Sequence, residues 1–187
     1  MAEATVGRWM DDVGEAIKIG NQIGETVIIM ATSTGATLAA AAALDEAAME
    51  NIGGIIFISP NFAINSRAAS LLTWPFARQW VPLVIGAEQQ GIARNDLHAR
   101  YWTMNYPTTA LMPMAAIVAA VDQESFDDVD IPALFYYSRQ DQVVAPDKTA
   151  EFARSWGGAS TTLIASLTAD DDKFSHIIAG DIVSPNQ

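Results

Sequence analysis

A chain of 187 residues, half of them hydrophobic and 17% charged, is long enough for one globular domain with a substantial core. Its 22 acidic and 10 basic residues leave a formal charge of −12, which repels the phosphate backbone of nucleic acid and anionic membrane surfaces alike. Cysteine is absent from the chain, so disulfides, thiolate metal sites and cysteine nucleophiles are excluded.

The first residues, "MAEATVGRWMDDVG", contain no basic stretch followed by an apolar one, so no signal peptide is read there. The longest apolar runs, such as "MAAIVAAV", fall short of the ~20 residues that a membrane helix needs. The expectation is a cytoplasmic protein without stable membrane insertion. Trp9, Val13, Ala16, Ile17, Gly20 and Ile23 recur at helical spacing, while Asp11, Asp12, Glu15, Lys18 and Asn21 fall on other faces. That pattern predicts an amphipathic helix ending near Gly24. "TVIIMA" follows, short, β-branched and apolar throughout, as expected of a parallel strand covered on both sides.

A second helix is expected from about Gly35 to Glu50, broken by "NIGG". "IIFIS" reads as a second buried strand, closed by "SPN". From about residue 62 to 128, tryptophans, prolines and short helical patterns ("LLTWPFARQW", "NDLHARYW", "LMPMAAIVAAV") alternate without a strand, which predicts an all-helical insertion. The strand pattern returns with "ALFYYS"; a helix, "PDKTAEFARSWG", and a fourth strand, "STTLIAS", complete it, with Gly157 and Gly158 as the helix stop. Helix and strand alternate outside the insertion, so the fold class is α/β: one domain over 1–187 with a parallel sheet of about four strands.

The chemistry concentrates at the end of the first strand. Ala31-Thr32-Ser33-Thr34-Gly35 places a serine among small residues, between an apolar strand and an alanine-rich helix. This is the context of a nucleophile elbow, a strained corner where bulky neighbours would collide. The local sequence equally allows Ser33 and Thr34 to cap the helix through their hydroxyls. A serine nucleophile needs a base, and the chain has two histidines. His176 lies after the last strand, in "DDDKFSHIIAGD", ahead of a short terminal helix pattern; His98 lies inside the insertion and reads as a surface or packing residue of it. An acid that orients the base belongs on a loop after a strand, where "ALFYYSRQDQVVAP" supplies Asp141. Asp147 is the alternative acid, although "PDKTAEF" reads as the capped start of a helix. Asp170, Asp171 and Asp172 read as a solvated loop, with a calcium site as the other possibility. The chain order is Ser33, Asp141, His176.

On "ATSTG", "YYSRQDQVVAPDKTAEF", "SHIIAGD" and an insertion ahead of the acid-bearing strand, the chain resembles the α/β-hydrolase family. The similarity is to its carboxylesterase and monoacylglycerol-lipase-like members with a helical lid. It implies Ser33 as nucleophile, His176 as general base and then acid, Asp141 as the orienting carboxylate and the Thr34 N–H as an oxyanion donor. It also implies that four strands and the loop bearing the second oxyanion donor have no counterpart ahead of the first helix. "TVIIMA" would then be a sheet edge, unprotected by lysine, proline or bulge, and would favour a homo-oligomer paired through it.

The expected activity is hydrolysis of carboxylic esters with apolar acyl groups through an acyl-enzyme, with no cofactor and no metal. Trp74, Trp80, Trp102 and Met104 are the candidate acyl-pocket residues, although helical packing accounts for such residues as well. The alternative function is a catalytically impaired, hydrolase-derived domain that binds a partner or a small apolar ligand. A dinucleotide-binding domain is disfavoured, because "ATSTGA" lacks the glycines and the strand ending "FISPN" has no acid for a ribose.

Overall fold

A computed structural model describes residues 3–66 and 68–185. Helix α1, Val6–Ile23, begins at Thr5, whose side chain accepts the Arg8 N–H at 3.2 Å. It ends at Gly24, whose N–H returns to the Gly20 carbonyl at 3.0 Å. Ile17 is buried on its inner face and Val6, Trp9, Met10 and Val13 pack partly against the core, while Asp11, Asp12 and Glu15 face water.

Four parallel strands follow in sequence and in space: β1 (Val27–Thr32), β2 (Ile52–Ile58), β5 (Ala133–Tyr137) and β6 (Ser160–Ile164), in the order β1-β2-β5-β6. The register sets Thr32 beside Ile58 and Ile58 beside Tyr136, so the carboxyl ends of the three strands align. β1 is an edge strand, and it is covered on one side only, where cover on both was expected. Val27, Ile29 and Ala31 pack with α1 and α2 (Thr34–Ala42), whereas Ile28 and Met30 are 54% and 68% exposed.

Helix α2 stops at Ala42, well short of Glu50. The Asp45 carboxylate accepts the Ala48 N–H at 3.2 Å, a local bond that competes with continuing the helix. Above the sheet, Phe57 and Phe135 stack at 4.9 Å, with Trp156 edge-on to Phe57 at 5.5 Å. The Trp156 indole donates to the Ile131 carbonyl at 2.7 Å, which satisfies its only polar atom inside the core. Helix α6, Pro146–Ser155, ends just before that indole. Gly157 and Gly158 follow because nothing larger fits: an added Cβ would stand 2.1 Å from the Asp127 carbonyl oxygen and 2.3 Å from that of Ile131.

The stretch between β2 and β5 is not all-helical. Helices α3 (Ala77–Ile85), α4 (Asp96–Tyr101) and α5 (Leu111–Val121) are joined by an antiparallel pair, β3 (Glu88–Gln90) and β4 (Asn105–Pro107). Gly86, at φ +91°, stops α3 and turns the chain into β3, and the Thr108 hydroxyl closes the pair by donating to the Gly86 carbonyl. Helix α5 is apolar all round because it is buried on several sides; its Ile117 and Val121 join the core beneath α2. After β6 the chain runs in turns, and the expected terminal helix is absent from the described residues. Among the described residues, no helix is long and apolar enough to cross a membrane.

Candidate active site

Ser33 stands between β1 and α2 with φ 53° and ψ −122°, outside the regions that a side-chain-bearing residue normally occupies. Neighbouring bonds hold it there: its N–H donates to the Ile58 carbonyl at 3.0 Å, and its carbonyl accepts from Asn61 at 3.1 Å. The hydroxyl makes no capping bond to α2. Ala31 is accommodated where the elbow pattern has a glycine, and an added Cβ at Gly35 would meet nothing within 4 Å, so crowding is not what requires a glycine there.

The Ser33 hydroxyl lies 3.0 Å from His176 Nε2, and His176 Nδ1 lies 2.8 Å from Asp141 Oδ2. Asp141 follows β5. Its other oxygen accepts the N–H groups of Val143 and Val144 at 2.8 and 3.0 Å, which fixes the carboxylate plane. The Gln142 N–H donates to the Phe174 carbonyl at 2.9 Å, tying the Asp141 loop to the loop that carries His176. The Asp141 side chain is 1% exposed and that of His176 12%, so the ion-paired end of the triad is almost wholly out of water. Three residues far apart in sequence thus form one chain of hydrogen bonds at the carboxyl ends of the strands. Thr34 opens α2, where a first-turn N–H has no acceptor within the helix.

Residues 3–168, which carry the four strands, Ser33 and Asp141, match the family described as Serine aminopeptidase, S33. The chain belongs to that family. It is an α/β-hydrolase. A metagenome-derived lipolytic enzyme, from work on LipS and LipT, superposes with a TM-score of 0.69 at 21% identity, over 89% of this chain and 65% of that one. The monoacylglycerol lipase of Paleococcus ferrophilus gives 0.58 at 14% identity, over 85% and 66%. A soluble variant of the Saccharomyces cerevisiae monoglyceride lipase, in complex with a substrate analog, gives 0.59 at 12%, over 84% and 58%. This α/β-hydrolase therefore spans 65% of the first relative's length, and at these identities the likeness is one of fold. No curated protein matches its sequence.

The other candidate residues scatter. Trp80 lines an apolar cavity of about 410 Å³ together with Ile64, Val81, Val84, Leu111 and Met114. Met114 Sδ is 3.3 Å from Asn61 Nδ2, which is itself 3.4 Å from Thr34 Oγ1, so side-chain contacts link one wall of this cavity to the residue after Ser33. Trp74 borders a separate hollow with Phe76 and Met112. Trp102 lies edge-on to His98 at 5.0 Å, and the Met104 carbonyl accepts from Gly91 at 2.7 Å, so both serve the α4–β4 region. His98 is buried there and accepts the Arg94 N–H at Nδ1. Asp147 sits exposed in the first turn of α6.

The aspartates before His176 do not form a solvated loop. Asp170 is exposed, but Asp171 and Asp172 are 1% and 7% exposed. Asp171 accepts the N–H and hydroxyl of Thr168 at 2.8 and 3.0 Å, and Asp172 accepts the N–H groups of His176 and Ile177. Among the described residues, no group of three or more His, Asp or Glu side chains is placed to hold a metal. Burial, and secondarily the charge of Asp171, pushes the Tyr136 phenol above its ordinary value.

Proposed function

We propose that the chain hydrolyses carboxylic esters with apolar acyl groups, through an acyl-enzyme on Ser33. The observation that carries this reading is the unbroken hydrogen-bond chain Asp141–His176–Ser33 on a strained elbow. His176 Nε2 takes the Ser33 proton as the oxygen attacks the ester carbonyl, and then returns it to the departing alcohol. Asp141 holds the ring with Nδ1–H toward it and stabilises the imidazolium. Water, activated by the same Nε2, releases the acid and restores Ser33. The Thr34 N–H faces the developing oxyanion.

The cavity beside Trp80 and Met114 supports the acyl preference, because apolar walls favour alkyl chains and give peptides or sugars few partners. The inserted stretch, from about residue 62 to 128, would then act as the lid. A fluorophosphonate probe followed by peptide mapping should label Ser33, and His176→Ala should abolish the label. A chain-length series of p-nitrophenyl esters should favour short to medium acyl groups. Faster turnover of peptide substrates would sink the ester assignment, and an unlabelled folded protein would leave a binding domain as the function.

The same proposal extends to self-association. β1 is an edge strand with Ile28 and Met30 exposed, and a second copy pairing through it would satisfy the free edge and cover both side chains.

A further inference from the structure

The loop before His176 is built around Asp172, whose side chain is 5% exposed. Its Oδ2 accepts the N–H groups of His176 and Ile177, each at 3.0 Å. The Asp172 N–H donates to Ser184 Oγ at 3.0 Å, and that hydroxyl donates onward to the Ile177 carbonyl. The Ser175 N–H closes onto the Asp172 carbonyl at 2.8 Å, with Ser175 in the left-handed region at φ 56°. The main chain that carries the base is therefore gripped on both sides of His176.

A buried carboxylate also needs a counter-charge. Arg94 Nη1 stands 4.0 Å from Asp172 Oδ1 and donates to the carbonyls of Asp171 at 2.5 Å and Val183 at 3.4 Å. The adjacent Asn95 donates from Nδ2 to the Ile182 carbonyl at 2.7 Å. Arg94 and Asn95 belong to the segment inserted between β2 and β5, so that segment is fastened to the histidine loop.

We infer that Asp172 is a positioning residue for His176 and that Arg94 is its counter-charge, joining the inserted segment to the catalytic base. Asp172 meets His176 only through its backbone N–H, so its effect on the reaction runs through where the imidazole points. Nε2 must stand at Ser33 while Nδ1 faces Asp141, and a displacement of about 1 Å in such an arrangement costs on the order of a hundredfold in rate. A charged acceptor for two amides holds the loop more firmly than a neutral one.

The inference rests on the serine-hydrolase reading, and one set of variants separates the two. In a wild-type chain that labels at Ser33, Asp172→Ala should slow both labelling and kcat by about a hundredfold with KM within about threefold. Asp172→Asn keeps an acceptor oxygen and should recover at least about tenfold of that loss. Arg94→Gln should slow labelling about fivefold, and it reads the same link if Asp172→Ala fails to fold. The proton on His176 Nδ1, seen by NMR as a far-downfield signal while it bonds to Asp141, gives a readout independent of turnover. Loss of that signal in Asp172→Ala, with the thermal midpoint retained, supports the inference even where the wild type proves unreactive. Unchanged labelling and an unchanged signal in the folded Ala variant overturn it.

Discussion

Ser33 Oγ and His176 Nε2 are separated by 3.0 Å, and on the proposed reading Asp141 behind the ring is what makes that contact useful. The carboxylate already accepts two backbone amides, so it cannot swing away, and it selects the tautomer with the proton on Nδ1. Asp141→Asn preserves the shape and reverses that preference. Steady-state kinetics should show kcat falling by about 10³–10⁴-fold with KM little changed. A second expectation concerns Tyr136. Its folded-state pKa is raised by burial first and by Asp171 second, above the ordinary phenol value of 10.0. The folded state then binds a proton that the unfolded chain has released, so stability present below pH 10 declines as pH rises through the folded value. Denaturant melts between pH 9 and 11 should show that decline, about pH 10 as the reference, and Tyr136→Phe should flatten it.

At the scale of elements, the site is a product of strand register. Aligned carboxyl ends of β1, β2 and β5 bring the Ser33 and Asp141 loops to one edge of the sheet, and the Gln142–Phe174 bond adds the His176 loop. The junction of α6 and β6 has less tolerance. Gly157→Ala would drive a methyl to 2.1 Å from the Asp127 carbonyl oxygen, so backbone must move beneath Trp156. The expected cost is at least about 2 kcal/mol, lowering the thermal midpoint by roughly 4–8 °C. Gly35→Ala, with open space around the added methyl, should shift that midpoint by less than about 2 °C.

For the whole molecule, the opposing terms at the β1 edge are apolar area and charge. Ile28 and Met30 favour pairing, whereas a formal charge of −12 on each copy opposes it. Salt screens the second term and strengthens the first, so association should increase between low and physiological ionic strength. Light scattering should give a mass that rises above 20.0 kDa with concentration and with salt, and Met30→Lys should hold it at 20.0 kDa. A concentration-independent 20.0 kDa for the unaltered chain would remove self-pairing from the proposal. On the proposed reading the Thr34 N–H contributes an oxyanion donor, and loss of one such donor costs about 10²–10³-fold in turnover.

The sequence alone determined what depends on neighbours along the chain. "TVIIMATSTG" contains its strand, its corner and its helix start within a few residues, and "ALFYYSRQDQ" puts an acid just past a strand. Periodicity and short-range turn chemistry are enough to read such features. The tertiary structure decided what depends on distant partners. Asp172 looks like one of three solvated acids until its carboxylate is seen under the His176 and Ile177 amides, with Arg94 arriving from the inserted segment. Trp80 and Trp102 have the same sequence credentials, yet one lines an apolar cavity with Met114 and the other packs on His98. The half-cover of β1, the β3–β4 pair and the early end of α2 escaped the one-dimensional reading for the same reason. Burial and cross-chain hydrogen bonds are set by which surfaces meet, and local pattern carries no record of that.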